Sequence, residues 1–178
     1  MLACSKCVLR SSCSRVVPGA GSATAEIMFI GEAPGKKEDE LGVPFVGAAG
    51  KFLNEMLASI KLKREDVYIA NTVKCRPPEN RDPSEEEKDT CWPWLLEQLK
   101  IIQPKLIITL GRHSMERFLS DVKISEVHGT LVIKTIPGIG RQNFYTLYHP
   151  AAALYNGGMR QTLLDDFQKI PKVLKKIK

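Results

Sequence analysis

Blocks of apolar residues alternate with polar stretches along this chain, and their periods predict strands separated by helices. Ile27-Met28-Phe29-Ile30 is a short, continuous apolar run, β-branched at both ends, as in a strand buried on both faces. Gly31 closes it, and Pro34 and Gly35 forbid its continuation. Val67–Ala70, Lys105–Leu110 and Phe144–Tyr148 repeat the pattern and run out at Asn71, Gly111 and His149-Pro150. Thr130–Ile136 predicts one more strand, in a hairpin or at an edge. Phe52, Leu53, Met56, Leu57 and Ile60 follow helical spacing, which predicts a helix over Ala48–Ile60 with one buried stripe. Ser84 and Glu87 form a capping box for a helix that carries Cys91, Trp94, Leu95 and Leu99 on or near its inner face, with Pro93 inside. A short helix is expected over Arg112–Leu119, and a final one over about Met159–Val173, disturbed at Pro171. Met1–Ala25 reads as irregular, Lys36–Gly47 as a charged, Gly-rich loop, and Arg76–Pro83 as an exposed polar loop.

Strands alternating with helices imply an α/β fold: a three-layer α/β/α arrangement around a central, mainly parallel four-stranded sheet. A length of 178 residues, without repeats or a linker, fits a single domain over 1–178. No apolar run approaches the roughly 20 residues that cross a bilayer, and no basic segment precedes an apolar h-region at the start. A cytoplasmic protein with no membrane partner is therefore expected. The formal charge of +6 suits a polyanionic partner without requiring one. Much of the excess lies in the tail Lys169–Lys178, which reads first as a solubilising helix end.

Five cysteines in a cytosolic chain point to metal or cluster ligation before disulfides. Cys4 and Cys7 form a C-x2-C pair, Cys75 follows a strand, and Cys91 lies in a helix. Four thiolates could tie the loose N-terminus to the core. Zinc sites usually show two tight knuckles; the wide second pair fits an iron–sulfur cluster at least as well, and plain buried thiols at Cys75 and Cys91 are the bland alternative. Cys13 is left as a free thiol. Three polar residues, Glu32, Asn71 and His149, stand at strand ends. In parallel neighbours they would meet in one crevice at the carboxyl edge, where open α/β sheets bind ligands. Phe45 could add an aromatic face.

Several separated motifs, in order, carry a family resemblance. Cys4-x2-Cys7, Gly31-Glu32-Ala33-Pro34-Gly35, Glu38-Asp39 and Gly42-x-Pro44-Phe45-x-Gly47-x-x-Gly50 resemble the family 4, iron–sulfur uracil-DNA glycosylases. So do Asn71-x-Val73-Lys74-Cys75-Arg76-Pro77-Pro78-x-Asn80-Arg81, the later Cys91, and His149-Pro150-Ala151-Ala152. Glu32 separates the chain from the family 5 enzymes, which lack a carboxylate in the first motif. The resemblance runs from about Cys4 to Asp165. It implies a [4Fe–4S] cluster on Cys4, Cys7, Cys75 and Cys91, and a uracil pocket made by Gly31, Glu32, Ala33, Phe45, Asn71 and His149. Leu154–Gly158 has no residue-by-residue match.

The implied activity is hydrolysis of the N-glycosidic bond of uracil in DNA by base flipping, leaving an abasic site for base excision repair. His149 and Glu32 are the expected catalytic residues: His149 donates to O2 of the leaving uracilate, and Glu32 positions the water or stabilises the cationic sugar. Leu154 or Tyr155 is the candidate wedge, and basic groups and N–H donors near Gly157–Arg160 are candidates for the DNA backbone. A monomer is expected, with uracil-containing DNA as partner and a sliding clamp as a further candidate. Two rivals stand beside this reading: a non-catalytic DNA-binding module with the same fold and cluster, and a zinc protein with an unrelated small-molecule pocket.

Overall fold

The computed structural model describes residues 1–177. Lys178, the last residue of the basic tail, lies outside the described residues. In chain order the elements are α1 (Leu9–Ser12), β1 (Ala20–Gly21), β2 (Ile27–Gly31), α2 (Lys36–Leu41), α3 (Ala48–Ser59), β3 (Tyr68–Asn71), α4 (Glu85–Ile102), β4 (Leu106–Leu110), α5 (Arg112–Glu116), α6 (Ile124–Val127), β5 (Leu131–Ile136), β6 (Gly140–Leu147), α7 (Ala152–Tyr155), α8 (Gly157–Gln168) and α9 (Ile170–Lys176).

The strands form one sheet in the order β1-β3-β2-β4-β6-β5. Its four central strands, β3, β2, β4 and β6, are parallel, in the register Gly31↔Asn71 and Leu110↔Leu147. The four expected parallel strands form its centre and the expected hairpin or edge strand is β5; β1 is the one strand not expected. Short β1 pairs antiparallel with β3, and β5 returns antiparallel along β6 through a tight turn. Two residues of β1 are too few to show a period, so the sequence read as irregular there.

The alternation along β2 builds the layers. Ile27 and Phe29 join Phe52, Leu53, Met56, Leu163 and Phe167 of α3 and α8 in one core. Met28 and Ile30 join Leu95 and Leu99 of α4, with Met115 and Phe118, in the other. Both faces of the parallel strands are thereby covered, as such strands require.

The ends of the elements follow local chemistry. Ser84 Oγ accepts from Glu87 N–H at 3.2 Å and the Glu87 carboxylate accepts from Ser84 N–H at 2.8 Å, the expected capping box. The expected loop at Lys36–Gly47 contains α2 instead, stopped by Gly42 in the left-handed conformation at φ 73°. The expected final helix is two: α8 ends at Gln168, and Pro171 sits in the first turn of α9, where its missing N–H costs nothing. The N-terminal segment is also held by protein contacts. Asp39 accepts from Ser14 and Arg15 N–H, and Val17 N–H donates to Lys74 O at 2.7 Å.

Candidate active site

The carboxyl ends of the parallel strands open into a cavity of about 450 Å³. Glu32, Ala33, Phe45, Asn71 and His149 line it, with Glu38, Asn80, Arg81 and Tyr155 around them. The structure thus brings the three strand-end residues together. Gly31 lies beneath: a Cβ there would meet Asn71 Oδ1 at 2.5 Å and the Phe45 ring at 2.7 Å.

Backbone hydrogen bonds set Glu32 and Asn71 side by side. Thr72 N–H donates to Gly31 O at 2.9 Å, and Val73 N–H and Thr72 Oγ1 donate to Glu32 O. Lys74, fully buried, donates to Asn71 O and Gln98 Oε1, each at 2.7 Å. Burial pulls its ammonium down to about 7, against the pull of Cys91.

Among the described residues, two buried side-chain polar atoms lack a partner: Glu32 Oε1 and Asn71 Oδ1. Buried polar atoms are nearly always hydrogen-bonded, and an unmade bond costs about 1–3 kcal/mol. Both residues line the same cavity, which is where a ligand with donors would meet them. Burial raises the Glu32 pKa, with Asp82 adding to it and His113, Lys88 and Arg112 opposing.

His149 sits over the end of β4, where Gly111 at φ 94° leaves room; a Cβ there would stand 3.0 Å from His149 Cβ. Burial lowers the His149 pKa to about 4, against the charge of Glu38. The imidazole is therefore neutral at pH 7. Its Nδ1 accepts from Ala151 N–H at 3.1 Å, which leaves the proton on Nε2. Phe45 packs 5.7 Å from the His149 ring, at φ 53°. That unusual backbone is held by Arg64, which donates to Phe45 O at 2.9 Å and Pro44 O at 2.6 Å, and by Glu38, which accepts from Val46 and Gly47 N–H. Gly50 is required beneath it, since a Cβ there would come within 1.9 Å of Phe45 O. In the sequence Lys74 shows only as part of the family motif and Arg64 not at all, because Gln98 and the Pro44–Phe45 carbonyls that they bind lie far along the chain.

The candidate DNA-contacting residues divide. Tyr155 is 90% exposed at the cavity rim, and Leu154 beside it is half exposed. Arg160 lies away from the cavity lining, over the Phe52 ring and paired with Glu55. Asn156 already accepts from Gly158 and Met159 N–H, so those helix-start donors are taken.

Away from that cavity, Cys4, Cys7, Cys75 and Cys91 line one small cavity with Leu9, Val16 and Val73. Burial pushes the Cys75 thiol far up, reinforced by Cys13, Cys7 and Cys91. At Cys4 burial is outweighed by the Lys6 N–H, the Trp94 indole and the Lys6 charge, and the pKa falls. Four thiols from the N-terminal segment, the stretch after β3 and α4 are a donor set that fits a metal or iron–sulfur centre. Cys13 packs in the same apolar cluster as Cys75.

Residues 18–175 match the uracil DNA glycosylase superfamily. The chain is 49% identical over 177 residues to the type-4 uracil-DNA glycosylase of Saccharolobus solfataricus, covering 96% of this chain and 82% of that protein. It is 48% identical to the type-4 enzyme of Sulfurisphaera tokodaii, covering 96% and 80%, and 47% identical to that of Archaeoglobus fulgidus, covering 96% and 87%. With this similarity along nearly its whole length, the chain belongs to the uracil DNA glycosylase superfamily and, within it, to the type-4 family.

Proposed function

We propose that this chain is a monofunctional glycosylase that hydrolyses the N-glycosidic bond of uracil turned out of DNA, leaving an abasic site. One observation carries the reading: the orphaned Asn71 Oδ1 and Glu32 Oε1 share a cavity with Phe45 and a neutral His149. The names of the relatives support it.

The flipped base stacks on Phe45. Asn71 Oδ1 accepts from uracil N3–H, and its amide N–H donates to O4. Cytosine reverses both, leaving buried groups unpaired at about 1–3 kcal/mol each. As the C1′–N1 bond breaks, negative charge grows on uracil O2, and the His149 Nε2–H donates to it without a proton having to be acquired first. Glu32 faces the cationic sugar and holds the attacking water. Among the described residues no lysine lines the cavity, which supports water rather than an amine as the nucleophile. Tyr155, exposed at the rim, fills the vacated stack, with Leu154 beside it.

Cys4, Cys7, Cys75 and Cys91 would hold a [4Fe–4S] cluster, which when bound supplies a structural tie between the N-terminal segment and the core. Base hydrolysis transfers no electron.

Purified, iron-loaded protein is expected to release free uracil from an oligonucleotide with one deoxyuridine and leave an alkali-labile site. Asn71→Ala should lower that rate by at least about a hundredfold. DNA binding with no uracil release by the wild type would instead support the non-catalytic module. An iron and sulfide count near four each is expected; stoichiometric zinc would overturn the cluster assignment.

A further inference from the structure

Glu32 carries the reactive carboxylate of the proposed site, yet nothing in its own loop fixes its orphaned oxygen. The nearest basic group comes from α5, across the crevice: His113 Nδ1 lies 3.8 Å from Glu32 Oε1. His113 is itself held on its far side. Its Nε2 stands 3.2 Å from Asp82 Oδ2 and 3.2 Å from Arg112 Nη2. On the near side of the ring, Glu32 and Glu116 both present carboxylate oxygens to Nδ1, at 3.8 and 3.9 Å, so these neighbours favour a ring with a hydrogen on Nδ1, and that hydrogen points toward Glu32.

We propose that His113, clamped by Asp82 and Arg112, is the positioning residue for Glu32, its Nδ1–H orienting the carboxylate for the attacking water. At 3.8 Å the contact is one that a small side-chain rotation or a single bridging water turns into a hydrogen bond. Glu116 Oε2, at 3.9 Å from the same Nδ1, is the competitor that Glu32 must displace. The charged groups acting on Glu32 divide by sign: Asp82 disfavours its ionisation, and His113, Lys88 and Arg112 favour it. Loss of the histidine donor therefore leaves a buried carboxylate that ionises only at higher pH. This role rests on the proposed glycosylase reading for its catalytic meaning and not for its physical content.

The test separates the two. The Glu32 carboxyl signal, identified by its absence in Glu32→Gln, is titrated by carbon NMR in the DNA-free holoprotein. His113→Leu should move the midpoint up by about one pH unit. His113→Asn, whose amide N–H sits where Nδ1 was, should restore most of the wild-type midpoint. His113→Gln, whose amide reaches toward Asp82 instead, should not; being polar, it also serves if the leucine variant fails to fold. The acid limb of single-turnover uracil release should move with the midpoint, and adding His113→Leu to Glu32→Gln should cost nothing further. Superimposable Glu32 titrations in wild type, His113→Leu and His113→Gln would overturn the proposal. Shifted titrations with no uracil release by any variant, the wild type included, would leave the clamp standing and remove the glycosylase reading.

Discussion

The base cavity and the cysteine nest flank the same short segment, Val73-Lys74-Cys75, and they are held in opposite ways. The cavity is drawn together by the parallel ladder, which fixes Gly31 opposite Asn71 before any ligand arrives. Its polar atoms are left over, facing a void. The nest joins two elements of the core to an N-terminal segment with little regular structure, and its sulfurs sit in apolar surroundings that hold them protonated at Cys75 and Cys91. One region is set by the sheet itself; the other would gain a further tie from the cluster proposed for it. Substitutions should therefore separate cleanly into those that remove rate and those that remove stability.

The largest effect should come from the cavity. Asn71→Ala is expected to reduce single-turnover uracil release by about 10²–10³, yet leave the melting temperature unchanged or raised. It deletes an acceptor whose burial costs about 1–3 kcal/mol in the free protein. A melting temperature lowered by many degrees would mean that Asn71 holds the fold, and the contrast between the regions would fail. Next should come the nest. Cys75→Ser is expected to lose iron and to destabilise the protein by about 2–4 kcal/mol, read by thermal denaturation, while the fraction that remains folded and loaded keeps near-normal turnover. A smaller effect is expected at Arg64→Ala. Without the guanidinium on the carbonyls of Pro44 and Phe45, the strained Phe45 backbone relaxes, and KM should rise about tenfold with less change in kcat.

How far the sequence showed these regions depends on which forces placed them. The four parallel strands, α3 and the Ser84 cap were legible because apolar period and capping chemistry are local signals. So was the convergence of Glu32, Asn71 and His149, since parallel strands bring their carboxyl ends to one edge. Lys36–Leu41 was not legible as a helix, because its run of charges has no apolar stripe and its boundaries depend on Gly35 and Gly42. Arg64, Lys74, Asp82 and His113 carry their meaning in contacts 19, 24, 31 and more residues away, and in isolation a charged residue reads as solvated surface. The bond of Arg160 to Glu55, 105 residues away, was invisible for the same reason, whereas the cap that Asn156 forms on Gly158 and Met159 is local and could have been read from the sequence.

The smallest expected effect sharpens the comparison through pH. His149 is lowered from 6.5 to about 4 in the folded protein, so between these values the unfolded chain binds the extra proton. Its contribution to stability is fully present above pH 6.5 and is lost as pH falls toward about 4. The full loss would be about 3 kcal/mol for a sealed imidazole, and less here because the ring opens onto the cavity. His149→Gln should flatten that part of the stability curve, measured by urea denaturation between pH 4 and 7. The same lowering keeps the Nε2–H donor neutral over the upper part of this range, so His149 cannot produce an acid limb in uracil release near neutrality. Glu32, whose carboxyl burial raises above the usual carboxylate range, is the group that can produce an acid limb. An acid limb that survives His149→Gln but vanishes in Glu32→Gln is expected. A limb that follows His149 instead would mean that the imidazole must be charged to act, and the preorganised, neutral donor would have to be abandoned.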